Sequence, residues 1–250
     1  MKFENKVILI TGSGSGIGKE TALQMAAQGG KLIISDVNDD AGQAVVEEIK
    51  SSGGEAVYKN CNVAEYEKVQ ALVKFCVDTF GQLDIAVNNA GIGGEYQMTG
   101  DYSLENYRKV IAVNQDGVFY CLKEELKVMQ SQQGGVIINV SSMAGLKGLP
   151  GAPAYTASKH AVLGLTKAAA VEYARFNVRV NAVCPIFTHT PMLEHLDKLN
   201  PTFSGKMLKT VPMRRFANPA EITNAIIWLA DTTSSYSTGL CLSIDGGTFA

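Results

Sequence analysis

The stretch Val7-Ile-Leu-Ile-Thr-Gly-Ser-Gly-Ser-Gly-Ile-Gly18 decides the fold. Val7 to Ile10 is short, largely β-branched and closed by Thr11-Gly12, the pattern of a strand buried on both faces. The glycines that follow permit a tight turn into a helix from Ile17 to Gln28, which Gly29-Gly30 ends. A helix starting so close to a strand end aims its free N–H groups and positive dipole at whatever binds there, and a diphosphate suits both. Gly12, Ser15, Gly16, Ile17 and Gly18 are the candidate contacts, although such turns also occur for steric reasons alone. The phosphate loop G-x-x-x-x-G-K-[ST] is excluded, because Ser13 stands where it needs glycine and Glu20 where it needs a hydroxyl.

Outward from this unit the alternation continues. Strands are expected at Lys31 to Asp36, Ala56 to Asn62, Asp84 to Ala90, Gly135 to Ser142 and Val178 to Pro185. Helices are expected near Asp39 to Ser52, Ala64 to Phe80, Ser103 to Gln130 and Ala154 to Phe176. After Pro185 comes an irregular stretch to about Asn218, then a short helix Pro219 to Ala230 and a last strand Leu240 to Asp245. Such alternation implies an α/β fold: one Rossmann-like, doubly wound parallel sheet of about seven strands with helices on both faces. No linker or repeat divides the chain, so residues 1–250 read as a single dinucleotide-binding and catalytic domain. The segment at about 186–218 follows a strand's carboxyl end and is expected to form a substrate lid.

Asp36 closes the second strand 18 residues after Gly18, where a carboxylate can accept from an adenosine ribose diol. A 2′-phosphate there would meet like charge, and Ser13, Ser15 and Val37 offer no cation to neutralise it. NAD is therefore expected in preference to NADP. As an alternative, Asp36 is a turn residue before Asn38-Asp39.

Apolar residues make up 46% of the chain and charged ones 18%, which supports a sizeable core and excludes a disordered chain. With 22 Lys and Arg against 24 acids, no basic field exists to hold nucleic acid. Cys61, Cys76, Cys121, Cys184 and Cys241 are scattered and odd in number, which fits neither a disulfide framework nor a zinc site. No secretory leader is visible, and no apolar run approaches the roughly 20 residues a membrane helix needs. A cytoplasmic location with no membrane partner is expected.

Tyr155-x-x-x-Lys159 opens a helix, and the i, i+4 spacing puts phenol and ammonium on one face. At about 5 Å and an effective dielectric near 20, the charge favours phenolate by roughly 3 kcal/mol, or about two pKa units. A phenol so tuned can take a proton from an alcohol or return one to an alkoxide. Ser142 ends the preceding strand at the same edge and can orient a carbonyl oxygen, or it merely caps a turn. Asn114 interrupts the long helix Ser103 to Gln130; it either relays a proton through water to Lys159 or is a satisfied polar residue between packed helices.

Taken together, these residues resemble the short-chain dehydrogenase/reductase family. The matching elements are Thr11-Gly-x-x-x-Gly-x-Gly18, Asn88-Asn-Ala-Gly91, Asn114, Ser142, Tyr155-x-x-x-Lys159, Asn181 and Asp245-Gly-Gly247, in family order across the chain. The resemblance implies a catalytic tetrad of Asn114, Ser142, Tyr155 and Lys159, with Lys159 also holding the nicotinamide ribose beside Tyr155. It implies that Asn89, Ala90 and Gly91 lie along the cofactor and that Asn62 and Val63 adjoin its adenine. It further implies a homotetramer paired through the helices around Asp101 to Gln130 and Ala154 to Phe176. Two departures stand out. Asn62 replaces an acid that usually contacts adenine, and Pro185-Ile186 replaces the usual Pro-Gly. Thr188 and Thr190 stand where the family often holds the carboxamide, with Thr188 the favoured candidate.

No G-x-S-x-G elbow occurs, and His160, His189 and His195 lack carboxylate partners, so a hydrolase triad is unsupported. His189 and His195 read as solvated rather than as metal ligands, so no metal is expected, and Trp228 is expected in the core. Phe187, Met192, Leu193, Leu196, Phe203 and Met207, with Met143, Leu146 and Leu149, either line an apolar pocket or merely pack the lid. The expected reaction is hydride transfer between NAD(H) and an apolar secondary alcohol or ketone. One alternative is an NADP-dependent 3-oxoacyl thioester reductase, whose acidic carrier Lys147, Lys198 and Lys206 would greet. The other is a non-catalytic regulator that senses NAD.

Overall fold

Every residue of the first strand, β1 (Val7–Thr11), is buried, and its side chains alternate between two cores. Ile8 and Ile10 join one cluster while Val7 and Leu9 join the other, as a strand covered on both faces must. The computed structural model describes residues 1–199 and 202–250.

The chain continues through α1 (Gly16–Ala27), β2 (Lys31–Ser35), α2 (Asp39–Ser51), β3 (Glu55–Tyr58), α3 (Tyr66–Phe80) and β4 (Ile85–Asn88). The second half runs α4 (Leu104–Ile111), α5 (Gly117–Gln132), β5 (Gly135–Val140), α6 (Pro153–Tyr173) and β6 (Val178–Pro185). It ends with α7 (Pro191–Leu199), α8 (Phe203–Leu208), α9 (Pro219–Ala230) and β7 (Cys241–Ile244). The described strands form one seven-stranded sheet, all parallel, in the order β3-β2-β1-β4-β5-β6-β7. Helices α1, α2 and α9 cover one face, α3, α5 and α6 the other. Strand order reverses between β1 and β4, so a crevice opens there at the carboxyl ends.

Three expectations need correction, and a fourth gains its detail. The strand expected to reach Asn62 stops at Tyr58, opposite Ile34 near the end of β2, its neighbour in the sheet. The interruption expected at Asn114 in the long helix from Ser103 is a π turn, Ala112–Asp116, with Asn114 at its centre. The segment after Pro185 is not irregular: α7 and α8 lie within it, and Asp197 of α7 accepts from the backbone N and hydroxyl of Ser204 in α8. Trp228 is 40% exposed, because α9 buries the stripe Ile222, Ile226 and Leu229, and position 228 falls off that face.

Candidate active site

A cleft of about 640 Å³ lies along the carboxyl ends of the strands. At one end Gly12, Ser15, Gly16 and Ile17 form its wall. Ser15, the N-cap of α1, makes no side-chain bond to the helix, so the first-turn N–H groups are left for another acceptor. Gly12 is at φ +63°, and a Cβ there would press on Ala90 Cα at 2.8 Å. Gly18 does not line the cleft. A Cβ on it would overlap the Gly12 carbonyl and crowd Asn89, so its contribution is to let α1 pack tightly behind the turn. Thr11 Oγ1 accepts from the backbone N of Asn89 and Ala90 at 3.1 and 3.2 Å, and Asn89 Nδ2 donates to the Thr11 and Gly12 carbonyls. The ends of β1 and β4 are thereby fastened together beneath the cradle.

Asp36, just past β2, lines the same end with Val37, Asn62 and Val63. Its carboxylate accepts the N–H groups of Gly14 at 2.8 Å and Asn38 at 3.0 Å, which fixes the side chain and leaves lone pairs for a diol. Among the described residues, the cations lining the cleft are Lys109 and Lys159, neither of them on the segments around Asp36. The cradle, the open helix start and the unneutralised carboxylate together fit NAD.

The reactive groups meet in the middle of the cleft, where Ser142, Tyr155 and Lys159 line it. Ser142 accepts from Ala144 N at 3.1 Å, so it does cap a short turn, and its hydroxyl neighbours the Tyr155 phenol. Lys159 is buried; its Nζ donates to the Val140 carbonyl at 2.8 Å and lies 5.6 Å from the Tyr155 ring centre. Burial pulls this ammonium down to about 8. The expected acidification of Tyr155 is not what the folded chain gives. Desolvation raises the phenol above its ordinary value, and the neighbouring Ser142 hydroxyl offsets this only in part. Burial opposes ionisation of the phenol, and the Lys159 charge is directed at Val140.

Asn114 is fully buried and does not line the cleft. Its Oδ1 accepts Ile92 N at 2.8 Å, and its Nδ2 donates to Ile92 O at 2.9 Å and Ser158 Oγ at 3.2 Å. The side chain therefore pins the loop after β4 to the π turn. Gly91 lies between it and Lys159: an added Cβ would sit 3.3 Å from Asn114 Oδ1 and 3.5 Å from Lys159 Nζ. Sequence reasoning missed Ser158, although a hydroxyl three residues after Tyr155 was its visible sign; it bonds Asn114 and the Tyr155 carbonyl.

Residues 12–248 match the family model described as enoyl-(acyl carrier protein) reductase. A cyclohexanol dehydrogenase from Acinetobacter sp. (strain SE19) is 44% identical over 98% of this chain and 95% of its own length. This chain is a short-chain dehydrogenase/reductase. Two solved structures of such dehydrogenase/reductases superpose closely, each 35% identical to this chain. Levodione reductase has a TM-score of 0.94 and covers 98% of both chains; NAD+-bound xylitol dehydrogenase has a TM-score of 0.96 and covers 99% of this chain and 100% of its own.

Within this short-chain dehydrogenase/reductase, the far end of the cleft is apolar. Met143, Leu149, Ile186, Phe187, Met192, Leu193, Leu196 and Phe203 line it. Both sequence readings of the lid hold in part, because Phe187, Leu193, Leu196 and Phe203 also pack with Phe216, Met207 and Leu208. Tyr96, which sequence reasoning missed, closes the wall by meeting Phe203 edge-on at 6.0 Å. Ile186 packs on Met143 and Val211. Pro185, Thr188 and Thr190 line the cleft, with Thr188 Oγ1 donating to the Ile186 carbonyl and Thr190 lying over Gly16. Leu146 and Lys147 are outside the lining, and Lys147 stacks on Phe249 at 4.6 Å. His189 and His195 are exposed, the former beside Phe216.

Proposed function

We propose that this chain transfers a hydride between NAD(H) and an apolar secondary alcohol or ketone, with a cyclic substrate the best fit. The observation that carries the reading is the convergence of Ser142, Tyr155 and Lys159 in the middle of the cleft, between a dinucleotide cradle and an apolar chamber. When bound, the cofactor supplies the hydride chemistry at its nicotinamide. The chain's own residues do the rest. Ser142 holds the substrate oxygen, and Tyr155 takes or returns the proton on that oxygen. Lys159 holds the nicotinamide ribose and adds positive charge near the phenol, while Asn114 keeps the Gly91–Ile92 loop in place. Asp36 holds the adenosine ribose, and Thr188 is the residue for the carboxamide.

The cyclohexanol dehydrogenase is named for a cyclic secondary alcohol, and the xylitol dehydrogenase structure holds NAD+, in keeping with this assignment. The family description names an acyl-carrier reductase, which makes thioester reduction with NADP the second reading. Against it, Asp36 opposes a 2′-phosphate, and Lys147, Lys198 and Lys206 do not line the cleft. We assign the chain to the cytoplasm and to a homotetramer. Exposed Leu104, Tyr107, Phe119 and Val171, on α4, α5 and α6, support the assembly, and no helix among the described residues is long and apolar enough to cross a membrane.

The test is Tyr155→Phe, assayed with a panel of cyclic and linear secondary alcohols by the absorbance of reduced nicotinamide. Turnover is expected to fall at least about a thousandfold while NAD affinity changes less than about threefold. Full activity in the variant overturns the mechanism. Tight NAD binding without turnover of any alcohol or ketone by the unmodified protein favours a sensor instead.

A further inference from the structure

Asn62 belongs to the segment Cys61 to Ala64, which lines the cleft after β3. Because β3 lies outside β2 in the sheet, a nucleotide whose ribose is held by Asp36 lays its base against this segment. This placement rests on the NAD reading above.

The Asn62 amide is held at both ends. Nδ2 donates to Glu65 Oε1 at 2.8 Å, and Oδ1 accepts the backbone N–H of Ala64 at 3.2 Å. Glu65 is itself braced, with Lys68 Nζ at 3.1 Å from Oε1 and 3.0 Å from Oε2. Lys68 first, then Asn62, hold this carboxyl below its ordinary range, so it is an ionised acceptor at neutral pH. Glu65 occupies the N-cap position of α3 yet makes no side-chain capping bond to that helix's backbone. Its carboxylate serves Asn62 and Lys68 instead.

Chemistry alone therefore sets the polarity of the amide. Turned over, Oδ1 would face a carboxylate and the NH₂ would face another N–H, two repulsions in place of two bonds. An unrestrained amide recognises either kind of purine by rotating half a turn. Its oxygen meets the amino group of a 6-amino purine, and its nitrogen meets the carbonyl of a 6-oxo purine. An acid at position 62 would need no brace, since a carboxylate only accepts.

We propose that Glu65, braced by Lys68, locks the Asn62 amide in one orientation and so makes the chain choose a dinucleotide carrying a 6-amino purine over one carrying a 6-oxo purine. Glu65 is a positioning residue that acts through Asn62. Equilibrium titration of the full chain with NAD and with nicotinamide hypoxanthine dinucleotide tests this. The variants are Glu65→Gln and the pair Asn62→Asp with Glu65→Gln. A glutamine side chain can accept or donate, so at this end either amide orientation keeps a partner, only the Ala64 N–H still opposes the turned amide, and the start of α3 is undisturbed.

The unmodified chain is expected to bind NAD at least about tenfold more tightly than the hypoxanthine analogue. Glu65→Gln is expected to narrow the ratio at least about threefold, chiefly by tightening the analogue, and the double variant to restore it. A ratio unchanged in Glu65→Gln, or both ligands weakened equally, overturns the proposal. So does an unmodified chain that binds both alike. If it binds neither, the NAD reading falls as well, a result distinguishable from failure of the lock alone.

Discussion

Lys159 donates its ammonium to the carbonyl of Val140 at 2.8 Å, so the last residue of β5 anchors the cation that stands beside Tyr155. The bond explains how a charge with so little water around it keeps its position. It also makes the lysine part of the strand end that carries Ser142. Replacing Lys159 by methionine removes the charge and leaves the Val140 carbonyl unpaired, a cost of about 1–3 kcal/mol offset by relief of ammonium desolvation. The expected outcome is a loss in kcat of at least about a hundredfold with modest change in Tm. The sign of the pH effect follows from charge: without the cation the phenol holds its proton more tightly, so the rise of alcohol oxidation with pH moves upward. A pH–rate profile unchanged in shape would show that Lys159 does not tune Tyr155.

Asp36 governs the choice between the two dinucleotides. Its carboxylate is held by the N–H groups of Gly14 and Asn38, so it cannot swing away from a 2′-phosphate. Asp36→Ala removes both the ribose acceptor and the repulsion. The preference for NAD over NADP, taken as the ratio of kcat/KM values, is expected to shrink by about 10–100-fold, the scale of hydrogen bonds to a charged group. Steady-state kinetics with both cofactors measure it, and an unmodified protein that already prefers NADP contradicts the role assigned to Asp36.

Much of this arrangement was legible because it depends on short-range pattern. Val7 to Ile10 alternates between two cores, the glycine turn follows at once, and Tyr155 and Lys159 stand one helical turn apart. The lid helix has a local signature too: Leu193 and Leu196 have helical spacing behind Pro191. Other features have no local signature. A single asparagine does not announce a π turn, and the partners of Asn114 lie 22 and 44 residues away in Ile92 and Ser158. The acidity of Tyr155 depends on how far the fold withdraws it from water, which spacing along a helix cannot report. Glu65 bonding Asn62 was three residues away in the sequence, yet it gains meaning only once both are seen at the cleft.

Asn114 is expected to act on geometry before chemistry. Asn114→Ala leaves the Ile92 N–H and carbonyl without their partner and removes a bond from Ser158. At about 1–3 kcal/mol for each buried group left unpaired, partly relieved by water, a Tm fall of about 5–10 °C is expected for a chain of this size. The Gly91–Ile92 loop loses its anchor, so kcat should fall as well. Normal stability with normal kcat in this variant would remove Asn114 from the site altogether.

Glu125 is the remaining ionisable group with a consequence for pH. It is fully buried on α5; Oε2 accepts from Asn88 Nδ2 at 3.0 Å, and that nitrogen also donates to Asn139 Oδ1 at 3.0 Å. Asn139 continues the chain to Thr166 at 2.9 Å. Glu125 Oε1 and Asn88 Oδ1 have no hydrogen-bond partner among the described residues, and protonating the carboxyl turns one of these orphaned acceptors into a donor. Burial raises the acid from 4.5 to about 7, the Asn88 bond opposing, while the neighbouring thiols Cys76 and Cys121 are raised too and stay neutral. Between those two values the native state holds a proton that the unfolded state has lost. Stability must therefore fall as pH rises from 4.5 to about 7 and level off above, by up to about 3 kcal/mol. Glu125→Gln cannot titrate, so its urea midpoint, compared with that of the unmodified chain across this range, should show a flatter profile. Parallel profiles for the two proteins would mean that Glu125 is already ionised at low pH, paired with a donor that the fold supplies elsewhere.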